Sequence, residues 1–377
     1  MKAGSKILFV ASTFKHIRAF HRPYISMLKN QGHLVDAAAN DIHIEVTETD
    51  QNFDLPINRS PFSKSNINAI LELRKLIRQN AYDLIHCHTA MGSVVARIAT
   101  LTLKNRPKVI YTAHGFHFFK GGPIRNWLLY FPMEWLLSFS TNTLVVINQE
   151  DFSLAKRWFH SKRIFKINGI GVESSKFIAV DIQEKSRLRN LNNIPENAFV
   201  LIYAAEYIPR KNHNFIINAA LELKNHIPEL LILFAGRGSL FEETQLQINN
   251  LKLEKTICQL GFVQNIENYY ALADLGISAS RQEGLGLNLI EEMFCGLPVV
   301  ASQDRGHKEI VVNDHNGYLY EQNNLKDFIS KVLFLYQNPK KVTEFSQNAL
   351  ASVEKFNITS SLLEMNKIYQ TTQKKSI

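Results

Sequence analysis

The chain has 377 residues, 45% hydrophobic and 20% charged, with three cysteines and a formal net charge of +9. That length suits two domains of moderate size, and the composition excludes a disordered or fibrous protein. Cys87, Cys258 and Cys295 lack the paired spacing of a zinc site or disulfide framework, no run offers the roughly 20 apolar residues of a membrane span, and the basic start runs on into Lys15, His16 and Arg18 unlike a cleaved signal.

Short apolar runs alternate with helical patterns along the whole chain, which predicts parallel sheets covered by helices and hence an α/β fold. In the first half KILFVAS (6–12), a shorter strand near Leu34 to Ala38, YDLIHCH (82–88), KVIYTAH (108–114) and TLVVINQ (143–149) are the strands, with helices over 66–79 and 91–102. The stretch WLLYFPMEWLLSF (127–139) is interrupted by Pro132 and Glu134; it suits a buried helix pair or, with Lys120 and Arg125 beside it, a seat on a membrane surface. Gly169 to Glu173 reads as a hinge. After the polar passage 181–195 a second series follows: FVLIYAA (199–205), LLILFAG (230–236), ICQLGFV (257–263), LGISAS (275–280) and PVVAS (298–302), with a last helix over 359–369. Each half therefore predicts a nucleotide-binding α/β unit. Residues 1–172 carry about +11 and the remainder about −2. A basic half suits a phosphate-bearing substrate or an anionic membrane leaflet; nucleic acid is disfavoured, because no helix-turn-helix, zinc-finger or RNP pattern is present.

In open α/β sheets ligands bind beyond the carboxyl ends of strands, and the reactive side chains fall there. His86 and His88 close one strand and share a sheet face, but as a metal pair they lack further ligands, so no metal is expected. His114 ends the next strand and leads into GFHFFKGGP, with His117 and Lys120; it can donate to a sugar hydroxyl or phosphate, or cap the strand structurally. Arg210 and Lys211 follow strand 199–205, where they suit a diphosphate or an ordinary solvated turn. AGRGS sets Gly236 and Gly238 at another strand end, for close approach to a ligand or for a plain turn. EGLGLNLIEEMFCG (283–296) holds Glu283 and Glu291 eight residues apart around Gly284, Gly286 and a helix expected to open near Asn288. Carboxylates there accept hydrogen bonds from sugar hydroxyls while helix amides meet an anion; equally, Glu291 and Glu292 are residues that the first turn of any helix favours.

These segments together resemble the family 4 glycosyltransferases of the GT-B fold, and more narrowly the EpsD-type exopolysaccharide glycosyltransferases of Gram-positive bacteria. The resemblance is carried by FHRPY at Phe20, RSPF at Arg59, DLIHCHT at Asp83, YTAHGFHFFKG at Tyr111, NWLLYFP at Asn126, KINGIGV at Lys166, RQEGLGLN at Arg281 and DRGHKEI at Asp304. It implies two Rossmann-like domains facing each other across a cleft. Residues 1–172 would bind the acceptor, with a C-terminal helix of about 357–377 packed back on them, and residues 173–356 would bind the donor. The implied reaction moves a sugar from a nucleotide diphosphate sugar, foremost a UDP-sugar, to an undecaprenyl diphosphate-linked glycan, with retention of configuration and with no metal or other cofactor. His114, Lys211 and Glu283 are implied to carry catalysis. Arg210, Gly236, Gly238, Val263, Gly284, Leu285, Gly286, Leu287 and Glu291 would bind the donor, and His16, His86, His117 and Lys120 would face the acceptor. The implied setting is exopolysaccharide or capsule biosynthesis in the bacterial cytoplasm, peripheral at the inner face of the membrane and beside other polysaccharide assembly proteins. Two positions depart from the family pattern: Glu206 and Ala205 stand where an arginine usually precedes the lysine, and Ser12 to His16 replace the glycine pair of the first loop. Two other functions compete: a UDP-sugar 2-epimerase of similar fold, and a non-catalytic nucleotide-sugar-binding partner in a polysaccharide assembly complex.

Overall fold

The computed structural model describes residues 4–373, and the chain divides into one unit from Met1–Gly171 with Ile358–Ile377 and a second from Val172–Asn357. Unit 1 runs β1 (Lys6–Thr13), α1 (Phe14–Phe20), α2 (Arg22–Asn30), β2 (Leu34–Asn40), β3 (Asn52–Asp54), α3 (Ser65–Asn80), β4 (Leu84–His88), α4 (Ala90–Thr100), β5 (Lys108–Ala113), α5 (Ile124–Ser138), β6 (Thr143–Val146), α6 (Gln149–Trp158) and β7 (Arg163–Lys166). Its strands are parallel in the order β3-β2-β1-β4-β5-β6-β7. Helices cover both faces of such a sheet, so its central strands read as unbroken apolar runs; Ile7 to Ala11 of β1 are wholly buried. The edge strands β3 and β7, reading NFD and RIFK, carry no such run and escape the sequence pattern.

Unit 2 runs α7 (Ile182–Leu191), β8 (Phe199–Ala204), α8 (His213–Leu223), β9 (Leu230–Ala235), α9 (Phe241–Asn250), β10 (Ile257–Gly261), α10 (Ile266–Leu272), β11 (Leu275–Ser278), α11 (Leu287–Phe294), β12 (Val299–Ser302), α12 (His307–Ile310), β13 (Gly317–Tyr320), α13 (Leu325–Gln337) and α14 (Pro339–Val353). The order is β10-β9-β8-β11-β12-β13, again parallel throughout. β10 stops at Gly261, whose φ of +68° turns the chain away, so Val263 lies beyond the strand rather than at its end. The last helix, α15 (Ile358–Gln373), returns to unit 1, where Tyr369 meets His86 and the hydroxyls of Thr372 and Thr143 pair at 2.7 Å. Residues 374–377 of the expected terminal helix lie outside the described residues.

Residues 127–139 do not form a buried helix pair. All but Phe139, which caps it, belong to the single helix α5, where Leu128 is 73% and Leu136 59% exposed. The inward side is served by Trp127, Tyr130 and Phe131 against the unit 1 core, and by Glu134, which pairs with buried Arg97 at 2.8 Å. One helix has room for one inward stripe, and the remaining apolar residues point outward.

In both sheets the strand order reverses beside the first strand of the unit, between β1 and β4 and between β8 and β11. Such a switch point opens a crevice beyond the strand ends.

Candidate functional site

At the switch point of unit 2 two loops meet. After β8 the chain makes a tight turn over Pro209–Lys211, and after β11 it enters the segment that holds Glu283. The carboxylate of Glu283, a residue only 8% exposed, takes the Lys211 ammonium on Oε1 and Arg210 Nη1 on Oε2 at 3.3 Å. Arg210 and Lys211, though consecutive, thus converge on one carboxylate. The Arg281 N–H donates to the Arg210 carbonyl at 2.8 Å and ties the loops together. Burial alone would push the Glu283 carboxyl up, but Lys211, then Arg210 and His307, outweigh it and hold the group at about 2. Support comes from beneath: Asp304 accepts the N–H groups of Glu283 at 3.1 Å and Gly306 at 2.8 Å, and the Tyr203 hydroxyl donates to the Lys211 carbonyl at 2.6 Å.

Gly286 precedes α11 with φ of +106°, a conformation costly for any side chain, and a Cβ there would lie 3.1 Å from the His307 ring. The helix opens at Leu287, with no side-chain cap and no acidic residue in its first turn among the described residues. Glu291 and Glu292 therefore sit one turn too late to serve the helix dipole. Glu292 instead turns into the core against Gly276, and burial drives its carboxyl far above the usual range. Glu291 accepts from the Tyr270 hydroxyl at 3.2 Å; burial, aided by Glu267, pushes it up to about 7 against that hydrogen bond. Gly284 and Leu285 complete the loop, with Leu285 buried against Gly306.

The glycines of AGRGS answer to packing. A Cβ on Gly236 would collide with the Ala205 carbonyl, and one on Gly238 would lie 2.6 Å from the Tyr207 nitrogen. The Gly236 N–H donates to the Gly261 carbonyl at 2.7 Å. Glu206, standing in the place of the family arginine, is exposed.

Unit 1 has a cavity of about 320 Å³ at the carboxyl ends of β1, β4 and β5, whose lining includes Ser12, His16, Arg59, Thr89, His114 and His117. Thr89 adopts φ of +60°, an outlier for a β-branched residue. It is held there by the Ser12 N–H, which donates to Thr89 Oγ1 at 3.0 Å, and by the two hydroxyls paired at 2.8 Å. Gly92, where a Cβ would stand 2.8 Å from the Ala11 backbone, lets α4 start against β1. Burial, then Arg59, lowers His16 to about 4; burial, then His16 and His86, holds His114 well below the usual imidazole range.

His86, expected to face an acceptor, is not among the residues lining this cavity. It lies two residues inside the end of β4, wholly buried, with its ring nitrogens on the Tyr369 hydroxyl at 2.7 Å and the Thr112 hydroxyl at 2.8 Å. Lys120 is exposed on the following loop, where its N–H donates to Glu150 at 2.8 Å. His21, Arg59, Asp304 and His307 enter the two clusters unpredicted. Their signal lay in FHRPY, RSPF and DRGHKEI, which carry a family likeness but no spacing that names a neighbour.

Comparison with known proteins places residues 184–351 in the family described as Glycosyl transferases group 1, and residues 6–148 in that described as Glycosyl transferase 4-like. EpsD of Bacillus subtilis, itself a provisionally assigned glycosyltransferase, is 38% identical over 99% of both chains. The UDP-Gal:alpha-D-GlcNAc-diphosphoundecaprenol alpha-1,3-galactosyltransferase of Escherichia coli is 26% identical over 81% of this chain and 79% of its own. Among solved structures, the sucrose-phosphate synthase of Thermosynechococcus elongatus has a TM-score of 0.83 at 18% identity, covering 97% of this chain and 98% of its own. Anabaena Alr3699/HepE in complex with UDP and glucose has a TM-score of 0.79 at 18% identity, covering 97% and 100%.

Proposed function

Since the chain belongs to the family 4 glycosyltransferases of the GT-B fold, we propose that it moves a sugar from a UDP-sugar to a lipid diphosphate-linked glycan, with retention of configuration, in exopolysaccharide or capsule synthesis. The observation that carries this reading is the convergence of Arg210 and Lys211 on Glu283 at the switch point of unit 2, ahead of the uncapped start of α11. A nucleotide diphosphate fits that arrangement. Lys211 and Arg210 turn from Glu283 to the phosphates, and the Glu283 carboxylate is released to accept hydrogen bonds from the donor sugar. Backbone amides from Gly284 to Leu287 meet the diphosphate or the sugar, and Glu291 accepts from the ribose hydroxyls.

In the transition state charge builds on the leaving diphosphate, where preorganised cations and amides stabilise it most. A leaving phosphate oxygen takes the proton of the acceptor hydroxyl, so no separate protein nucleophile is needed. The two basic residues supply the charge that a magnesium or manganese ion brings to a diphosphate elsewhere. In unit 1 the cavity beside His16, His114 and His117 receives the acceptor.

A lipid-linked acceptor is supported by the name of the Escherichia coli relative and by α5, whose residues Ile124, Leu128 and Leu136 are exposed beside Arg125. None of the described helices is long and apolar enough to cross a membrane, so this face would seat the chain on a bilayer surface. The test is a panel of nucleotide sugars with an undecaprenyl diphosphate-linked acceptor, scored by released UDP and the anomeric configuration of the product. UDP release that requires the acceptor and yields a retained linkage is expected. Epimerised sugar formed without acceptor would replace the reading with an epimerase, and nucleotide-sugar binding without turnover would replace it with a non-catalytic partner.

A further inference from the structure

Four histidines meet beyond the carboxyl ends of β1, β4 and β5. His16 lies in the first turn of α1, His21 stands between α1 and α2, His88 ends β4, and His114 follows β5; one nitrogen of each lies within 4.8 Å of those of the others. We propose that His16, His21, His88 and His114 bind one divalent transition-metal ion of the zinc class.

The distances suit such an ion. Nitrogens about 2.0–2.1 Å from a tetrahedral centre stand about 3.4 Å apart. His16 Nε2 and His21 Nε2 are 3.3 Å apart, while His114 Nε2 meets His88 through Nδ1 at 3.4 Å, which leaves Nε2 as the nitrogen that His88 would offer to the ion. Imidazoles aimed at a shared ion hold their ring centres about 5 Å apart. The observed separations are 5.0 Å for His16 and His114, 5.1 Å for His16 and His21, 5.6 Å for His88 and His114, 5.7 Å for His21 and His114, and 6.2 Å for His16 and His88, the pair that must draw in. The His21 and His88 rings, stacked at 3.7 Å, must part for the ion to sit between them.

A second observation is independent of these distances. His88 is 1% exposed and its Nε2 finds no hydrogen-bond partner among the described residues, which is a cost that a folded chain rarely leaves in place. Among the described residues no carboxylate is hydrogen-bonded to any of the four rings, and the charged neighbour of His16 is Arg59. An all-imidazole set selects zinc, cobalt, nickel or copper over magnesium, calcium or manganese, which prefer oxygen. His86, held by the Tyr369 and Thr112 hydroxyls, packs on His88 with ring centres 4.0 Å apart and limits how far that ring can turn.

The ion would pin the α1–α2 corner to two strand ends on the floor of the unit 1 cavity, and its occupancy would set whether the His114 ring is free to turn toward a substrate. This goes beyond the donor chemistry of unit 2 and is tested without any nucleotide. The full chain, stripped with a chelator, is titrated with cobalt(II) and then with zinc(II). One cobalt per chain with the intense visible bands of tetrahedral coordination, displaced by zinc, is expected. His16→Ala and His21→Ala should each weaken binding by more than the about 10–100-fold that loss of an outer-shell partner costs, while His315→Ala on the surface of unit 2 should not. Circular dichroism of each variant separates lost ligation from lost folding, and His16, only half-buried, is the variant expected to keep its fold. Substoichiometric uptake, octahedral bands, or unchanged affinity in a folded His16→Ala would overturn the proposal and leave the transfer reading of unit 2 untouched.

Discussion

Lys211 and Glu283 are paired across two loops, so a donor that engages one must find a new partner for the other. This exchange suits a site that has to meet both an anionic diphosphate and a hydroxyl-rich sugar. Removing one preorganised charge from such a site typically costs about 10²–10³-fold in turnover. Lys211→Ala and Glu283→Gln are each expected to lose transfer on that scale with an unchanged circular dichroism spectrum, and wild-type turnover in either would sink the assignment. Glu291 yields a pH prediction. Its carboxyl, at about 7 in the folded chain against an ordinary 4.5, stays protonated in a window where an unfolded chain would ionise. Folding stability from this group is therefore fully present below pH 4.5 and lost as pH rises through about 7. Ribose hydroxyls favour the ionised acceptor, so UDP should bind more tightly as pH rises through this range, releasing a proton on the acid side. Calorimetric titrations in buffers of different ionisation enthalpy would measure that proton, and a pH-independent affinity with no release would remove Glu291 from the ribose.

Among the elements, α5 is where composition and structure part. Its residues are apolar enough to read as a buried pair, yet a single helix with its inward side committed to Trp127, Tyr130, Phe131 and Glu134 leaves the opposite face uncovered. The buried Arg97–Glu134 pair, with the Arg97 guanidinium 4.4 Å from the Tyr111 ring centre, holds the helix to α4 and β5 whatever its outer face touches. Charging that face tests its role directly. Leu128→Glu and Leu136→Glu should sharply reduce co-sedimentation with anionic vesicles while leaving the thermal midpoint nearly unchanged, because exposed substitutions cost about 0.5 kcal/mol or less. Equal sedimentation of wild type and variants would exclude α5 as the membrane seat. Other elements were legible in proportion to their burial. Central strands such as β1 and β8 announce themselves as apolar runs, whereas β3, β7 and β13 lie at sheet edges, where NFD, RIFK and GYLY need hide only one side.

For the whole molecule, assigning the nucleotide to unit 2 carries a thermodynamic consequence. A ligand at about 100 times its dissociation constant adds about 2.7 kcal/mol to the unit that binds it, which raises the midpoint of a domain of this size by about 5–11 °C. Differential scanning calorimetry with UDP should show that rise, and an unmoved profile would argue against the donor site at Glu283. Fold class and the residues at strand ends were open to sequence reading, because alternating apolar runs, glycine turns and the EGLGLNLIEEMFCG segment are local patterns that owe nothing to distant contacts. Tertiary structure alone decided which of those residues meet. Lys211 and Glu283 are 72 positions apart, and His88 and His114 are 26 apart. They meet because parallel strands joined by helical crossovers deliver their carboxyl ends to the same edge of a sheet, a geometry set by strand order that no local spacing encodes.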